Sequence, residues 1–228
     1  MAANQHSDKP WLTKSKWKDG RIRSSGVVGL VVLWIIALIL SGVGVYLIVT
    51  GGNHGIKFLL GGIAVFIWAS IETLRYKKFG TSVLELVTFP GVVGGQLVGV
   101  IHTRNKIQPL DGYHLNLKCT RSLTTGRGKG RRTQHSVLWE ESATMKHEIF
   151  EHDPSRTAIP VGFRIPADCR PCDESNPGDV ISWQLAVKAK VAGLNYYAHF
   201  DVPVYRVDDA LADPASQVDP VAAYRAEK

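Results

Sequence analysis

The sequence predicts a membrane α-helical hairpin plus an all-β domain: two N-terminal transmembrane helices followed by an antiparallel β-sandwich. Two observations predict this fold class. Nearly all of the uncharged apolar sequence lies between Gly26 and Ile71. Beyond Gly80 the apolar residues recur at every second position, which is the period of a strand. At 228 residues the chain has room for a membrane segment and one soluble domain.

These changes in pattern give the predicted domain boundaries. Residues 1–25 form a basic cytoplasmic leader, and residues 26–78 form the transmembrane hairpin. Residues 79–207 form the soluble β-sandwich domain. Residues 208–228, rich in Ala, Asp and Pro, form a flexible tail.

The first span covers residues 26–49, a run of 24 residues without a charge. As a helix this run rises about 36 Å, enough to cross a hydrocarbon core of about 30 Å with some tilt. A signal peptide fits poorly, because the run is too long and no A-x-A-like cleavage site follows it.

The second span covers about residues 57–75. Its uncharged part, residues 58–71, is short, but Lys57 can extend toward one interface, and Glu72 and Arg75 lie one turn apart at the other. A re-entrant or interfacial helix is the alternative. The glycine-rich connection at residues 50–55 forces the two helices to be antiparallel neighbours. Ala37 and Ser41 form a small-xxx-small pair, suited to close approach within the hairpin or between copies.

Basic residues predict the topology. The net charge of +7 is concentrated near the spans. Six basic residues precede the first span, and three follow the second: Lys9, Lys14, Lys16, Lys18, Arg21, Arg23, then Arg75, Lys77, Lys78. The positive-inside rule places both termini in the cytoplasm, and an odd count of three cysteines favours a reducing compartment. We therefore expect an integral protein of the bacterial inner membrane.

Alternation of apolar and polar residues predicts the strands of the β domain. The clearest case is residues 180–191, where Ile181, Trp183 and Leu185 lie on one face and Ser182 and Gln184 on the other. The predicted strands are residues 83–88, 97–103, 113–120, 136–140, 146–150, 158–165, 180–191 and 195–207, the last two joined as a hairpin.

Three of these segments carry a family resemblance. The succession AIPVGFRIPADCRP, ISWQLAVKA and HFDVPVYRV resembles the strands of arrestin-like sandwiches, over roughly residues 157–207. It is also similar to bacterial two-helix membrane proteins of unknown function that end in such a domain. The resemblance implies a single-lobe immunoglobulin/arrestin-like β-sandwich that binds proteins. The chain has no room for a second lobe and no counterpart of the arrestin phosphate-sensing charged core.

Cys169 and Cys172 form a C-x-x-C motif in a loop between strands. In redox enzymes the first cysteine starts a helix, which lowers its pKa. Here Asp173 and Glu174 follow the motif and would raise the thiol pKa. We expect inert loop cysteines. A redox pair or local disulfide, and a metal site completed by Cys119 and a histidine, are the alternatives.

Two further motifs lack the spacing of known sites. The segment His147–His152 departs from both zincin patterns by one residue and is predicted to be an exposed polar loop or edge strand. The segment GRGKGRR, residues 126–132, lacks the phosphate-loop spacing and is predicted to be a mobile hairpin tip. It also lacks aromatic residues for base stacking, so no nucleic acid partner is expected. No catalytic residue, metal or cofactor is predicted.

Basic and aromatic residues in two segments are predicted to contact a membrane surface or an acidic partner. The leader alternatively serves only to set topology. The predicted contact residues are Lys14, Lys16, Trp17, Lys18, Arg127, Lys129, Arg131 and Arg132.

The expected function is a membrane-anchored protein-binding or scaffold protein that presents a cytoplasmic β-sandwich, with the lipid bilayer and a protein as partners. An accessory subunit of a membrane complex is a variant of this hypothesis. The alternative is a membrane-bound thiol-redox or metal-dependent enzyme that uses Cys169 and Cys172.

Overall fold

The computed structural model of the chain describes residues 11, 17, 20–24, 27–126, 128–146 and 156–206, with the backbone alone at 27, 28 and 129. The chain divides into a helical unit, Ser25–Thr81, and a β unit built from the segments before and after it. The predicted tail at 208–228 and the predicted strand at 146–150, apart from Lys146, lie outside the described residues.

The helical unit consists of α1, Val27–Val49, and α2, Gly55–Phe79. Both helices are long and apolar enough to cross a membrane, which confirms the two predicted helices. Most of their large apolar side chains are exposed, from Val31 in α1 to Leu74 in α2. Helix α2 ends at Gly80, whose φ of 69° favours glycine and whose N–H donates to the carbonyl of Tyr76.

Small residues form the contact between the two helices. Ala37 of α1 and Ala69 of α2 are buried. A Cβ atom added to Gly62 would lie 2.7 Å from the backbone nitrogen of Ser41, and one added to Gly44 would lie 2.8 Å from the Cα atom of Leu59. The helices therefore touch backbone to backbone, and the small pair of Ala37 and Ser41 lies in this contact.

One aromatic side chain adds a polar link to this helix contact. The indole Nε1 of Trp34 donates to Thr73 Oγ1 at 3.1 Å, and its ring meets Phe66 edge-on at a centroid distance of 5.0 Å. The apolar ring and the polar N–H of this indole thus both have partners between the helices.

The first sheet of the β unit contains four strands: β1, Arg21–Arg23; β2, Val83–Leu86; β4, Gln96–His102; and β7, Ala158–Arg164. Their order is β1-β2-β4-β7, and every pair is antiparallel. Pro160 lies within β7, an edge strand, where the missing N–H does not interrupt the ladder.

The second sheet contains five strands: β5, Tyr113–Thr125; β6, Arg132–Met145; β8, Asp173–Asn176; β9, Asp179–Ala189; and β10, Tyr196–Val202. Their order is β10-β9-β5-β6, and β8 pairs with β9. The predicted hairpin is present as β9 and β10, joined through Gly193 at a φ of 83°. Two short strands, β3 at Gly91–Val92 and β11 at Val204–Tyr205, form a parallel pair.

Buried side chains from both larger sheets form the core of the β unit. Strand β9 buries Ile181, Trp183 and Leu185, as its alternation predicts. The Tyr196 hydroxyl of β10 and the Ser82 hydroxyl, directly before β2, are hydrogen-bonded at 2.8 Å, which links the two sheets. Predominantly β structure thus follows the helices, as expected.

The described end of the predicted leader pairs with the β unit. Its last residues form β1, in register with β2 so that Ile22 lies opposite Leu84. Ile22 is buried, and the Gly20 carbonyl accepts from the N–H of Leu86 at 3.1 Å. The physical reason is that Ile22, between two arginines, supplies one apolar side chain to the core while Arg21 and Arg23 stay exposed.

Candidate functional sites

The C-x-x-C motif lies in the loop between β7 and β8. The Cys169 N–H donates to the Pro166 carbonyl at 3.2 Å, which closes a tight turn after β7. The Cys172 N–H donates to the Val204 carbonyl at 2.7 Å, which ties the other end of the loop to β11. Backbone hydrogen bonds therefore fix both cysteines, and neither lies at the start of a helix.

All three cysteines are buried, and none of them forms a disulfide. Cys119 of β5 is fully buried, and burial is the largest cause that raises the pKa of its thiol to about 12, with the neighbouring Cys172 and Cys169 adding to the shift. Burial and the charge of Asp168 also raise the pKa of Cys169. The thiolate is the nucleophilic form of cysteine, so the raised pKa values of Cys119 and Cys169 disfavour nucleophilic chemistry at these two thiols.

Hydrogen bonds around the motif indicate a structural role. The carbonyl of Arg170, between the two cysteines, accepts from Trp183 Nε1 at 2.9 Å, and the Cys119 thiol points at the same carbonyl at 3.9 Å. The Trp183 ring in turn packs against Trp139 of β6 at 5.4 Å. The loop thus covers one end of the apolar core. Within the described residues, no group of three or more His, Cys, Asp or Glu side chains is arranged to hold a metal ion.

Half of the predicted membrane-contact residues lie outside the part of the chain that the structure describes. Lys14, Lys16, Lys18 and Arg127 lie outside the described residues, as does the segment 147–152, and Lys129 has only its backbone described. Arg131 and Arg132 are exposed beyond a short 3-10 turn at Gly128–Gly130, where β6 leaves the hairpin tip. These two arginines are therefore accessible to an anionic partner.

Trp17 has a different environment from the predicted surface position. Its side chain is 2% exposed, its Nε1 donates to the Asp201 carbonyl at 2.9 Å, and its ring meets Tyr205 edge-on. Trp11 packs against the same tyrosine at 5.3 Å. The Trp17 indole is therefore buried in the β unit, in contact with Asp201 of β10 and Tyr205 of β11.

One interaction had no signal in the sequence. Arg121 of β5 donates from Nε and Nη2 to the two carboxylate oxygens of Asp179 in β9, at 2.6 and 2.5 Å. The hydrogen bonds from Arg121 lower the pKa of the Asp179 carboxyl. The two residues are far apart in the chain and meet only through the pairing of β5 with β9, so only strand order could have identified them.

Strand β6 is longer and more exposed than the sequence pattern predicts. It is an edge strand of 14 residues with mostly exposed side chains, including the apolar Val137 and Leu138. The predicted strand at 136–140 covers only its middle. Opposite charges along this strand, at Arg132 and Glu141, are the sequence pattern that could have identified it.

Comparison with known proteins gives no family. No protein-family model matches the chain, and no curated protein matches it. Among solved structures, the chain has a weak fold-level resemblance to Spo0M, a sporulation control protein from Bacillus subtilis, at 10% identity and a TM-score of 0.35, over 54% of this chain and 49% of Spo0M. The match therefore spans about half the length of Spo0M.

Two further structures are similar over part of the chain. MtrC from Shewanella baltica OS185 matches at 13% identity and a TM-score of 0.28, over 57% of this chain and 23% of MtrC. CsgH from R. palustris matches at 10% identity and a TM-score of 0.17, over 52% of this chain and 87% of CsgH. With TM-scores this low, none of the three likenesses assigns a function.

Proposed function

We propose that this chain is a membrane-anchored scaffold protein. Helices α1 and α2 cross the bilayer as a hairpin, and the β unit is an antiparallel immunoglobulin/arrestin-like sandwich presented at the cytoplasmic face of a bacterial inner membrane. There the sandwich binds another protein, either as a free-standing anchor or as an accessory subunit of a membrane complex.

The observation that carries this proposal is the pairing of β1 with β2. Strand β1 comes before α1, β2 comes after α2, and Arg21 to Arg23 lie opposite Glu85 to Val83. The Ser24 N–H also donates to the Ser82 carbonyl at 2.9 Å. Hydrogen-bonded strands of one sheet must lie on the same side of a bilayer. The chain therefore leaves and returns to one side, as two crossings require.

Charge distribution supports the cytoplasmic side. Arg21 and Arg23 precede α1, and Lys77 and Lys78 lie in the last turn of α2. The connection at residues 50–54 has no Lys or Arg. Because Lys and Arg are enriched in cytoplasmic flanks, the β unit belongs on that side. The Glu72–Arg75 ion pair, at the end of the apolar part of α2, lets these two charges approach the interface together.

The arrangement of the strands supports the sandwich. Two larger antiparallel sheets each bury alternate side chains, and the hydrogen bond between Tyr196 and Ser82 joins them. Sandwiches of this kind bind proteins through strand edges and exposed patches. Buried thiols with a raised pKa at Cys119 and Cys169 weigh against the enzyme alternative.

The topology test uses single engineered cysteines in the full chain. Asn53, in the connection between the helices, and Leu110, in the β unit, are both exposed, and we would replace each with cysteine. The native thiols are buried and provide a low background. A membrane-impermeant maleimide is expected to label Asn53→Cys in intact cells, and Leu110→Cys only after the inner membrane is permeabilised.

The two variants control for each other, because we expect one to be labelled in intact cells and the other only after permeabilisation. Labelling of Leu110→Cys in intact cells would place the β unit outside and contradict the proposal. Protection of both sites in intact cells would contradict two crossings and, because β1 and β2 lie on the same side, would favour a hairpin that enters the membrane without crossing it.

A further inference from the structure

Strand β6 has one edge that no described strand covers. It is the last strand in the order β10-β9-β5-β6, and β5 pairs with it from Arg132 to Met145. Within the described residues no strand pairs with its other edge. A long free edge presents a row of backbone donors and acceptors, which favours pairing with another chain.

The middle of this edge is apolar. Cys119 of β5 lies opposite Trp139, and the next residue, Thr120, lies opposite Val137, so Leu138 is an extra residue in a β-bulge. Val137 is 57% exposed and Leu138 is 42% exposed. Two adjacent exposed aliphatic side chains therefore mark the centre of the strand.

Opposite charges flank this centre. Arg132 lies opposite Thr125 in β5, and Glu141 lies opposite Leu117. Thr125 and Leu117 are an even number of residues apart on an unbroken strand, so Arg132 and Glu141 point to the same face of the sheet. Both side chains are exposed, and neither has an ion-pair partner among the described residues.

We propose that β6 pairs antiparallel with β6 of a second copy of this chain. This pairing joins the β6-containing sheets of the two copies into one continuous sheet. With Arg132 opposite Glu141 of the second copy, Thr133 lies opposite Glu140. The two-fold symmetry repeats each pairing. Counted from these pairings, the symmetry axis falls between Ser136 and Val137, so Val137 of each copy lies opposite Ser136 of the other. The contact has aliphatic side chains close to its centre and charged side chains at its rim, the arrangement of a protein interface.

The order of charges is the reason for choosing a second copy as the occupant. Charged residues and bulges on an edge strand ordinarily prevent pairing, most effectively when the charges have one sign. Here Arg131 and Arg132 precede the apolar centre, and Glu140 and Glu141 follow it. A parallel copy would place like charges opposite each other, whereas an antiparallel copy places every arginine near a glutamate.

Charge exchange tests this proposal in the full chain purified in a mild detergent. The variants are Arg132→Glu, Glu141→Arg and the double variant with both changes. Arg104→Glu is a matched control, because Arg104 is an exposed residue outside β6 and its replacement changes the net charge as Arg132→Glu does. Molar mass is measured by light scattering over a dilution series.

The wild type and Arg104→Glu are expected to be dimers. Each single β6 variant places like charges opposite each other twice per dimer and should weaken dimerisation by about tenfold or more. The double variant restores opposite charges and should recover the wild-type dissociation constant. Recovery also excludes misfolding as the cause of the single-variant effect.

Three results would overturn the proposal: a monomeric wild type throughout the series, single variants that dimerise like the wild type, or a double variant that fails to recover. The second result would point to a dimer formed by the helices instead. Because β6 belongs to the β unit, these outcomes do not depend on which side of the membrane the unit occupies, and a failed topology test would leave them unchanged.

Discussion

At the scale of single residues, burial controls the chemistry of the cysteines. Cys119 belongs to the core face of β5, and the motif loop places Cys169 and Cys172 beside it. Burial disfavours the charged thiolate relative to the neutral thiol. In the C-x-x-C motif, burial raises the pKa of Cys169 and so disfavours its reactive thiolate form.

Thiol labelling tests this conclusion. The pKa of Cys119 rises from 9.0 to about 12, so at pH 8 its thiolate population falls about 1,000-fold relative to an exposed thiol. We expect Cys119 to react with a maleimide at least that much more slowly in the folded protein than in denaturant. The exposed Leu110→Cys variant serves as the fast control. Rapid labelling of Cys169 and Cys172 in the folded protein would contradict the structural role and favour the redox alternative.

At the scale of elements, glycine positions determine how closely the two helices approach. A Cβ atom added to Gly44 or Gly62 would meet the partner helix. One added to Gly42 or Gly61 would meet nothing within 4 Å. Length and lack of charge predict both helices from the sequence. The spacing of Ala37 and Ser41 suits either contact between the two helices of one hairpin or contact between copies of the chain. The structure places both residues in the contact between α1 and α2.

Alanine substitution separates these two classes of glycine. Gly62→Ala would bring a methyl group to 2.7 Å from the Ser41 nitrogen, and the helices would have to move apart. We expect a loss of about 1–3 kcal/mol in the free energy of unfolding of the hairpin, measured in mixed detergent micelles.

Gly61→Ala is the matched control in the next position of the same helix. It meets nothing within 4 Å and should be neutral or stabilising, by up to about 1 kcal/mol, through helix propensity. Equal effects of the two substitutions would contradict the proposed backbone-to-backbone contact.

At the scale of the whole molecule, the described residues of the leader belong to the β unit. The Trp17 indole is buried, and β1 adds a fourth strand to the first sheet. The β unit is therefore assembled from two segments separated by the entire hairpin. We therefore expect the stability of the β unit to depend on the first segment, although most of its strands follow α2.

Truncation of the Trp17 side chain tests this dependence. Trp17→Ala removes a large buried side chain and its hydrogen bond to the Asp201 carbonyl, and should lower the free energy of unfolding of the β unit by about 3–5 kcal/mol. Trp17→Phe keeps an aromatic ring and should cost less, because it forfeits mainly the hydrogen bond.

Trp68→Ala provides the control on an exposed tryptophan of α2, 55% exposed, and should leave the β unit unchanged. The measurement is chemical denaturation followed by near-ultraviolet circular dichroism. Indistinguishable curves for Trp17→Ala and the wild type would show that the leader contributes nothing to the β unit.

The sequence by itself determined the two helices and the positions of most strands. Both depend on local properties: an uncharged run long enough for a bilayer, and alternation between a buried and an exposed face. It also determined that the C-x-x-C lies in a loop, from the acidic and proline residues around it.

Only the tertiary structure decided which strands are neighbours, and with them the burial of Trp17, the meeting of Cys119 with the Arg170 carbonyl, and the free edge of β6. The segment of Arg21, Ile22 and Arg23 is too short to carry a period, so its place beside β2 has no local signature. Such contacts join residues far apart in the chain, and they form because they complete a shared core and a shared hydrogen-bond ladder, which no single stretch of sequence contains.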